Sequence, residues 1–297
     1  MTAPPLVVGI GEILWDLLPS GRRIGGAPAN FAFHAQTLGA ASFVVSAVGD
    51  DAAGRDILAE LDRRGLDRRF LATVSGPPTG TVSVSLDPAG MPRYVIQEGV
   101  AWDELPWGPA LRDLARAAEA VCFGTLAQRS EVSRRAISAF LKETRPEAVR
   151  VLDLNLRQNY HSPDLVRGLL EDSTILKLND EELRDVGEMF TLPGSETEIL
   201  RSLLRTFPLV MIALTKGRKG SRLIGRDQDV HHPGYPVEAV DTVGAGDAFT
   251  AALAVGYLKR MSWEDISEAA NRLASQVCTR PGAWPDPPSK TAARTEA

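Results

Sequence analysis

Six short apolar runs punctuate this chain: Leu6–Ile10, Ser42–Val48, Ala120–Phe123, Arg150–Leu154, Thr174–Leu178 and Leu209–Leu214. Amphipathic stretches with helical periodicity separate them, near Asn30–Leu38, Ala52–Arg64, Glu131–Glu143, Asp164–Leu170, Asp180–Val186 and Glu196–Thr206. Strands that are apolar on both faces must be covered on both faces. Alternating strand and helix achieves this by winding a mostly parallel sheet between two helical layers. The pattern therefore predicts a three-layer α/β/α domain, closed by two further helices over Gly246–Lys259 and Trp263–Thr279. A chain of 297 residues is long enough to bury such a core.

One region breaks the alternation. Phe70–Val74, Thr79–Leu86 and Arg93–Gln97 read as consecutive strands with Gly/Pro-rich turns and no helix between them, and Leu14–Leu18 with Arg22–Ile24 reads as a hairpin. Strands without crossovers do not fit a right-handed parallel sheet. They are predicted to form a small β-sheet lid, over about 14–25 and 70–103, above the sheet's carboxyl edge where open α/β folds bind ligands. The domain is expected to span 1–288, and the Ser-, Thr- and Ala-containing residues 289–297 to be a disordered tail.

Asp241-Thr-Val-Gly-Ala-Gly-Asp247 stands at the start of the apolar helical run Ala248–Leu258. A helix start offers unpaired N–H groups and the positive end of the macrodipole, and glycine lets that backbone approach a phosphate. Gly244, Ala245 and Gly246 thus read as an anion cradle, with Asp247 set to act as a general base. The competing reading is an Asp cap behind a glycine turn. Near the other end, Gly25-Gly26-Ala-Pro28-Ala-Asn30 leads into a helix whose first turn presents the Asn30 amide to a hydroxyl group.

Together these two motifs resemble those of the PfkB/ribokinase family of carbohydrate kinases, from about Leu6 to about Pro288. The resemblance implies a ribokinase-like fold and ATP-dependent phosphorylation of a sugar hydroxyl, with Asp16, Gly26, Asn30, Arg157 and Asp247 around the sugar. Asp16 belongs to the early Gly11-Glu12…Asp16 pattern, and an ionised carboxylate suits a polyol because it only accepts hydrogen bonds. Arg157, in Asp153-Leu-Asn155-Leu-Arg157, offers a planar fork to a phosphate or carboxylate, or forms a surface salt bridge. Asn179-Asp-Glu-Glu182 matches the Asn-x-x-Glu element that organises water around Mg²⁺, and it also reads as an ordinary helix cap. Thr215, Gly217 and Gly220 resemble the loop beside the nucleotide, and Asn271 the adenine-side helix. Asp241 and the main chain at Val243 resemble positions that hold a monovalent cation such as K⁺. Dimerisation through the lid is implied in the same way.

Gly-Gly-Ala-Pro-Ala-Asn and Cys278-Thr-Arg-Pro-Gly282-Ala look most like fructokinases, which makes fructose the leading acceptor. The lid string Tyr94–Asp103 departs from that pattern, and its Trp102 is expected to reshape the sugar pocket. Kinases for 2-keto-3-deoxygluconate, ribose or a nucleoside are the alternatives, as is a non-catalytic binding protein on the same fold. A Rossmann dehydrogenase is set aside because Leu14 replaces the third glycine of Gly9-Ile-Gly11, and no P-loop occurs. The net charge of −5 gives no electrostatic reason to expect nucleic acid or an anionic membrane. Two distant cysteines, Cys122 and Cys278, and the lack of a basic leader or bilayer-length apolar stretch lead to the expectation of a cytoplasmic protein.

Overall fold

A computed structural model describes residues 3–18, 21–86 and 92–285. The chain begins with β1 (Leu6–Ile10), β2 (Leu14–Leu18), β3 (Gly21–Gly25), α1 (Ala27–Thr37), β4 (Ala41–Gly49) and α2 (Ala52–Arg64). It continues through β5 (Leu71–Val74), β6 (Thr81–Leu86), β7 (Pro92–Ile96), α3 (Pro109–Ala117), β8 (Ala120–Phe123), α4 (Glu131–Glu143) and β9 (Val149–Asp153). Then come α5 (Pro163–Glu171), β10 (Ile175–Asn179), α6 (Asp180–Met189), α7 (Glu196–Thr206) and β11 (Met211–Thr215). The last described elements are β12 (Ser221–Ile224), β13 (Asp229–His232), α8 (Ala245–Leu258) and α9 (Trp263–Cys278).

Nine strands form the main sheet in the order β13-β12-β11-β10-β9-β8-β1-β4-β5, parallel from β11 to β5. Strand alternation splits the apolar residues between its faces. Val7, Cys122, Val151, Ile175 and Met211 pack against Phe31 of α1, Phe249 and Leu253 of α8 and Ile266 of α9. Val8, Ile10, Val121, Phe123, Leu152 and Leu176 face the other way, toward Phe140 of α4, Leu169 of α5 and Leu200 of α7. This is the expected ribokinase-like three-layer arrangement.

A second sheet, β3-β2-β6-β7, supplies the lid. Its inward residues Leu14, Ile24, Val82 and Ile96 are buried. Phe70–Val74 needs correcting: β5 pairs in parallel with β4 at the edge of the main sheet, because α2 provides the crossover that parallel neighbours require. Sequence periodicity also missed α3, and the hairpin β12–β13, which extends the main sheet antiparallel to β11. The tail expected at 289–297 lies outside the described residues. Among the described residues no helix is long and apolar enough to cross a membrane.

Candidate active site

Between the carboxyl edge of the main sheet and the lid lies a cleft of about 1230 Å³. Asp16, Gly26, Asn30, Arg157, Asn179, Glu182, Thr215, Gly217, Gly220, Asp241, Val243, Asn271 and the whole Gly244–Asp247 stretch line it. Residues far apart in sequence thus converge on one space, as the motifs require.

The turn before α8 is shaped by Gly244, whose φ of 80° is left-handed. A Cβ there would also come within 2.5 Å of the Ala283 side chain. The first intrahelical bond runs from Ala248 N–H to Gly244 O at 2.9 Å. The N–H groups of Gly246 and Asp247 therefore precede the helical ladder and are available at the dipole's positive end. Ala245 N–H contributes less, because it already turns back to Thr242 O at 3.3 Å.

Asp247 opens onto the cleft, yet protein atoms crowd its carboxyl. Burial pushes it up to about 6, the Asp153 charge adds to this, and the Asn30 hydrogen bond, Lys177 and Arg157 pull against it. A carboxyl so tuned is ionised at neutral pH and remains basic enough to accept a proton. Asn30 donates from Nδ2 to Asp247 Oδ2 at 2.7 Å, while its Oδ1 accepts the Trp284 indole N–H at 2.8 Å. One amide hydrogen of Asn30 is left for a ligand.

Behind the cradle is a buried cation that the sequence reading missed. Lys177 Nζ donates to Asp153 Oδ1 at 2.9 Å, and Asp153 Oδ2 accepts Thr250 Oγ1 at 2.8 Å. Burial alone would lower the lysine, but Asp153, Glu182 and Asp247 outweigh it and raise it, so it stays charged. A Cβ on Gly246 would lie 3.0 Å from Nζ, which shows how near this cation stands to the cradle. The visible signal was a lone lysine inside the apolar run Ile175–Leu178.

On β2, Asp16 pairs across from Arg23 and faces the cleft. Its carboxyl is pushed up to about 6, first by burial and then by Asp241, with Arg157 opposing. Arg157 is exposed between two residues with left-handed backbones, Asn155 (φ 42°) and Gln158 (φ 46°). Its Nη1 donates to the neighbouring Leu156 O at 3.1 Å, and among the described residues the guanidinium forms no surface salt bridge.

Asn179 and Glu182 form a capping box. Asn179 Oδ1 accepts Glu182 N–H at 2.8 Å, and Glu182 Oε2 accepts Asn179 N–H at 2.8 Å. Glu182 Oε1 also accepts Leu156 N–H at 3.1 Å. Each Glu182 oxygen keeps a lone pair, which suits a water between carboxylate and metal better than direct ligation, whereas Asn179 Oδ1 is filled by the Glu181 and Glu182 N–H groups. No cluster of three or more His, Cys, Asp or Glu able to hold a metal occurs among the described residues. Asp241 accepts Val243 N–H at 3.0 Å and Gly282 N–H at 2.9 Å, one donor per oxygen, so it closes the turn and retains acceptor capacity for a cation. Asn271 donates to Ser221 Oγ and Ser267 O, both at 2.7 Å, which fixes its amide at the cleft wall.

Trp102 differs from expectation. It is fully buried in the short 3-10 turn Ala101–Glu104, with the Arg129 guanidinium 3.9 Å from its ring centroid, and is not among the cleft-lining residues. A large apolar ring beside the core cluster gains more from burial there than at a polar sugar pocket.

Comparison with known proteins agrees with this geometry. The pfkB family carbohydrate kinase profile matches residues 21–290. An uncharacterised sugar kinase of Pyrococcus horikoshii is 32% identical over 302 residues, covering 95% of this chain and 93% of the relative. Its crystal structure superposes with a TM-score of 0.81 over 94% of this chain and 93% of that one, and its complex with ATP with 0.79 over 94% of each. A fructokinase of Klebsiella pneumoniae is 31% identical over 284 residues, 91% of this chain and 90% of the relative. With a profile match across nearly the whole chain and the motif residues gathered in one cleft, this protein belongs to the PfkB family of carbohydrate kinases, phosphotransferases that act on a sugar hydroxyl.

Proposed function

We propose that this kinase transfers the γ-phosphate of ATP to a hydroxyl of fructose, with Asp247 as the base. The observation that carries this reading is the position of the Asp247 carboxylate, in the first turn of α8, beside N–H groups that precede the helical ladder. Asp247 takes the proton of the attacking hydroxyl, and the Gly244–Gly246 backbone holds the negative charge that gathers on the phosphoryl oxygens. Asp16, Gly26, Asn30 and Arg157 orient the sugar. Thr215, Gly217, Gly220 and Asn271, which line the cleft, border the nucleotide; ATP is the nucleotide bound in the complex of the Pyrococcus horikoshii relative.

Mg²⁺, when bound, would neutralise phosphate charge, and Glu182 would hold its water shell through the free lone pairs of its carboxylate, with Asn179 capping the same helix start. Asp241 and the main chain at Val243 would hold a K⁺ ion, whose charge would stiffen the turn from behind. The two cysteines are free, as a reducing cytoplasm allows. Fructose leads because several curated relatives are fructokinases. A sugar acid such as 2-keto-3-deoxygluconate is the second reading, favoured by the exposed Arg157 guanidinium in the cleft.

The test is ADP release with MgATP and K⁺ across fructose, ribose, glucose, 2-keto-3-deoxygluconate and adenosine. Turnover is expected with fructose, and Asp247→Asn should lower it by about 10³-fold without changing the melting temperature. An Asp247→Asn enzyme with most of its activity would remove the base. Preference for the sugar acid would replace fructose.

A further inference from the structure

The segment after α9 crosses behind the cradle. Gly282 N–H donates to Asp241 Oδ2 at 2.9 Å, and His34 Nε2 meets Ala283 O at 2.9 Å. Arg64 Nη1 donates to Pro285 O at 3.3 Å. Trp284 stacks on Phe33 with 4.7 Å between centroids and 5° between planes. Stacking and burial account for the ring. They do not account for where its indole N–H points, which is Asn30 Oδ1, 2.8 Å away.

That contact decides the orientation of an amide. An indole nitrogen only donates, so the Asn30 atom facing it must be the oxygen. The Asn30 nitrogen is then turned toward Asp247 Oδ2, at 2.7 Å. Flipping the amide would set two donors face to face at one end and two acceptors at the other. Asn30 is 3% and Trp284 5% exposed, so water has little room to mend either mismatch.

We propose that Trp284 is a positioning residue for phosphoryl transfer: its indole N–H fixes the Asn30 amide, and Asn30 in turn holds the Asp247 carboxylate in one orientation, ready to take a proton. This rests on Asp247 being the base. It extends the site to a residue 254 positions away from Asn30 in sequence, in a segment that otherwise looks like a packing strap.

Other charged and titratable groups face Asp247 from the surrounding elements: Asp153 on β9, Lys177 on β10, Arg157 on the loop after β9, Glu12 after β1 and Cys122 on β8. None of them is altered by removing one indole N–H. Loss of the Asn30 donor should therefore let burial and Asp153 push the carboxyl higher than about 6, since that hydrogen bond lowers it.

Trp284→Phe keeps a ring on Phe33 and deletes the N–H. A carbon-13 titration of the Asp247 carboxyl, identified by its disappearance in Asp247→Asn, should move upward by roughly half a unit or more. Turnover on the accepted sugar should fall about tenfold, with the KM for MgATP unchanged. Adding Asn30→Ala to Trp284→Phe should cost no more than Asn30→Ala alone, because both break one chain of contacts. If the phenylalanine variant folds poorly, 3-benzothienylalanine at position 284 preserves the indole shape without the donor. An unmoved Asp247 titration in either folded variant, or additive losses in the double variant, would overturn the proposal. The titration needs no turnover, so it separates this link from the base assignment, which fails only if Asp247→Asn stays active.

Discussion

At the α8 end of the cleft the polar groups already have partners. Asp247 is held by Asn30, Asn30 by Trp284, and Lys177 by an Asp153 that also accepts from Thr250. At the lid end, Asp16 sits on a separate four-stranded sheet, where among the described residues burial and the charges of Asp241 and Arg157 act on its carboxyl. The first end is organised before any ligand arrives, which suits electrostatic work on a transferring phosphoryl group. The second keeps acceptor capacity in reserve, which suits a polyol that brings its own donors. Substitutions at the two ends should therefore fail in different ways.

The largest effect is expected at the organised end. Gly244→Ala would place a Cβ at φ 80° and 2.5 Å from the Ala283 side chain, 2.7 Å from its Cα. Backbone cannot yield as a flexible side-chain tip can, so the turn or the segment behind it must move. Turnover should fall by about 100-fold or more, as when a preorganised donor is lost, and the melting temperature should drop with it. A stable and active Gly244→Ala would mean the cradle tolerates displacement, and the contrast between the ends would collapse.

At the lid end the expected loss is smaller and confined to the sugar. Asp16→Asn keeps the size of the side chain but replaces one acceptor oxygen with a donor. A hydrogen bond to a charged group is worth about 1.5–3 kcal/mol, so kcat/KM for the sugar should fall about 10- to 100-fold. The KM for MgATP should stay the same. An equal rise in both KM values would show that Asp16 supports the whole cleft rather than one ligand.

The same division governs what could be read from the sequence. The cradle is a contiguous string on a helix start, so Asp241, Gly244, Gly246 and Asp247 were visible without tertiary information. Helices α2, α4 and α7 were read with the observed ends, because amphipathic periodicity is local. The helix just before β5 was legible too, yet its consequence was missed: α2 carries the chain back to pair β5 with β4. Lys177 and Trp284 were not assigned roles because their partners, Asp153 and Asn30, are 24 and 254 residues away. Trp102 was misread for a related reason. Its neighbour Arg129 comes from a different segment, and local sequence gives no sign of that stack.

Glu12 lies at the seam between the two ends, directly after β1, and offers the smallest but most diagnostic effect. It is 3% exposed and its Oε1 accepts Ala27 N–H at 3.1 Å, at the entry to α1. Burial pushes its carboxyl up to about 7 from an ordinary 4.5; its own and the Ala27 backbone hydrogen bonds pull back, Asp247 adds to the rise and Arg157 opposes it. Between those two values the folded chain binds more protons at this position than the unfolded chain. Stability from this group therefore falls as pH rises through that window and is lowest above about 7. Glu12→Gln keeps an oxygen for Ala27 and removes the charge. Its melting temperature relative to the parent should be nearly unchanged around pH 4.5 and should rise toward pH 8, by ~2–4 °C for each kcal/mol relieved. A flat difference across that range would mean a cation compensates Glu12 in the folded chain. Arg157, whose charge already opposes the shift, would be the first to replace, and the seam would then belong electrostatically to the sugar end rather than to the cradle.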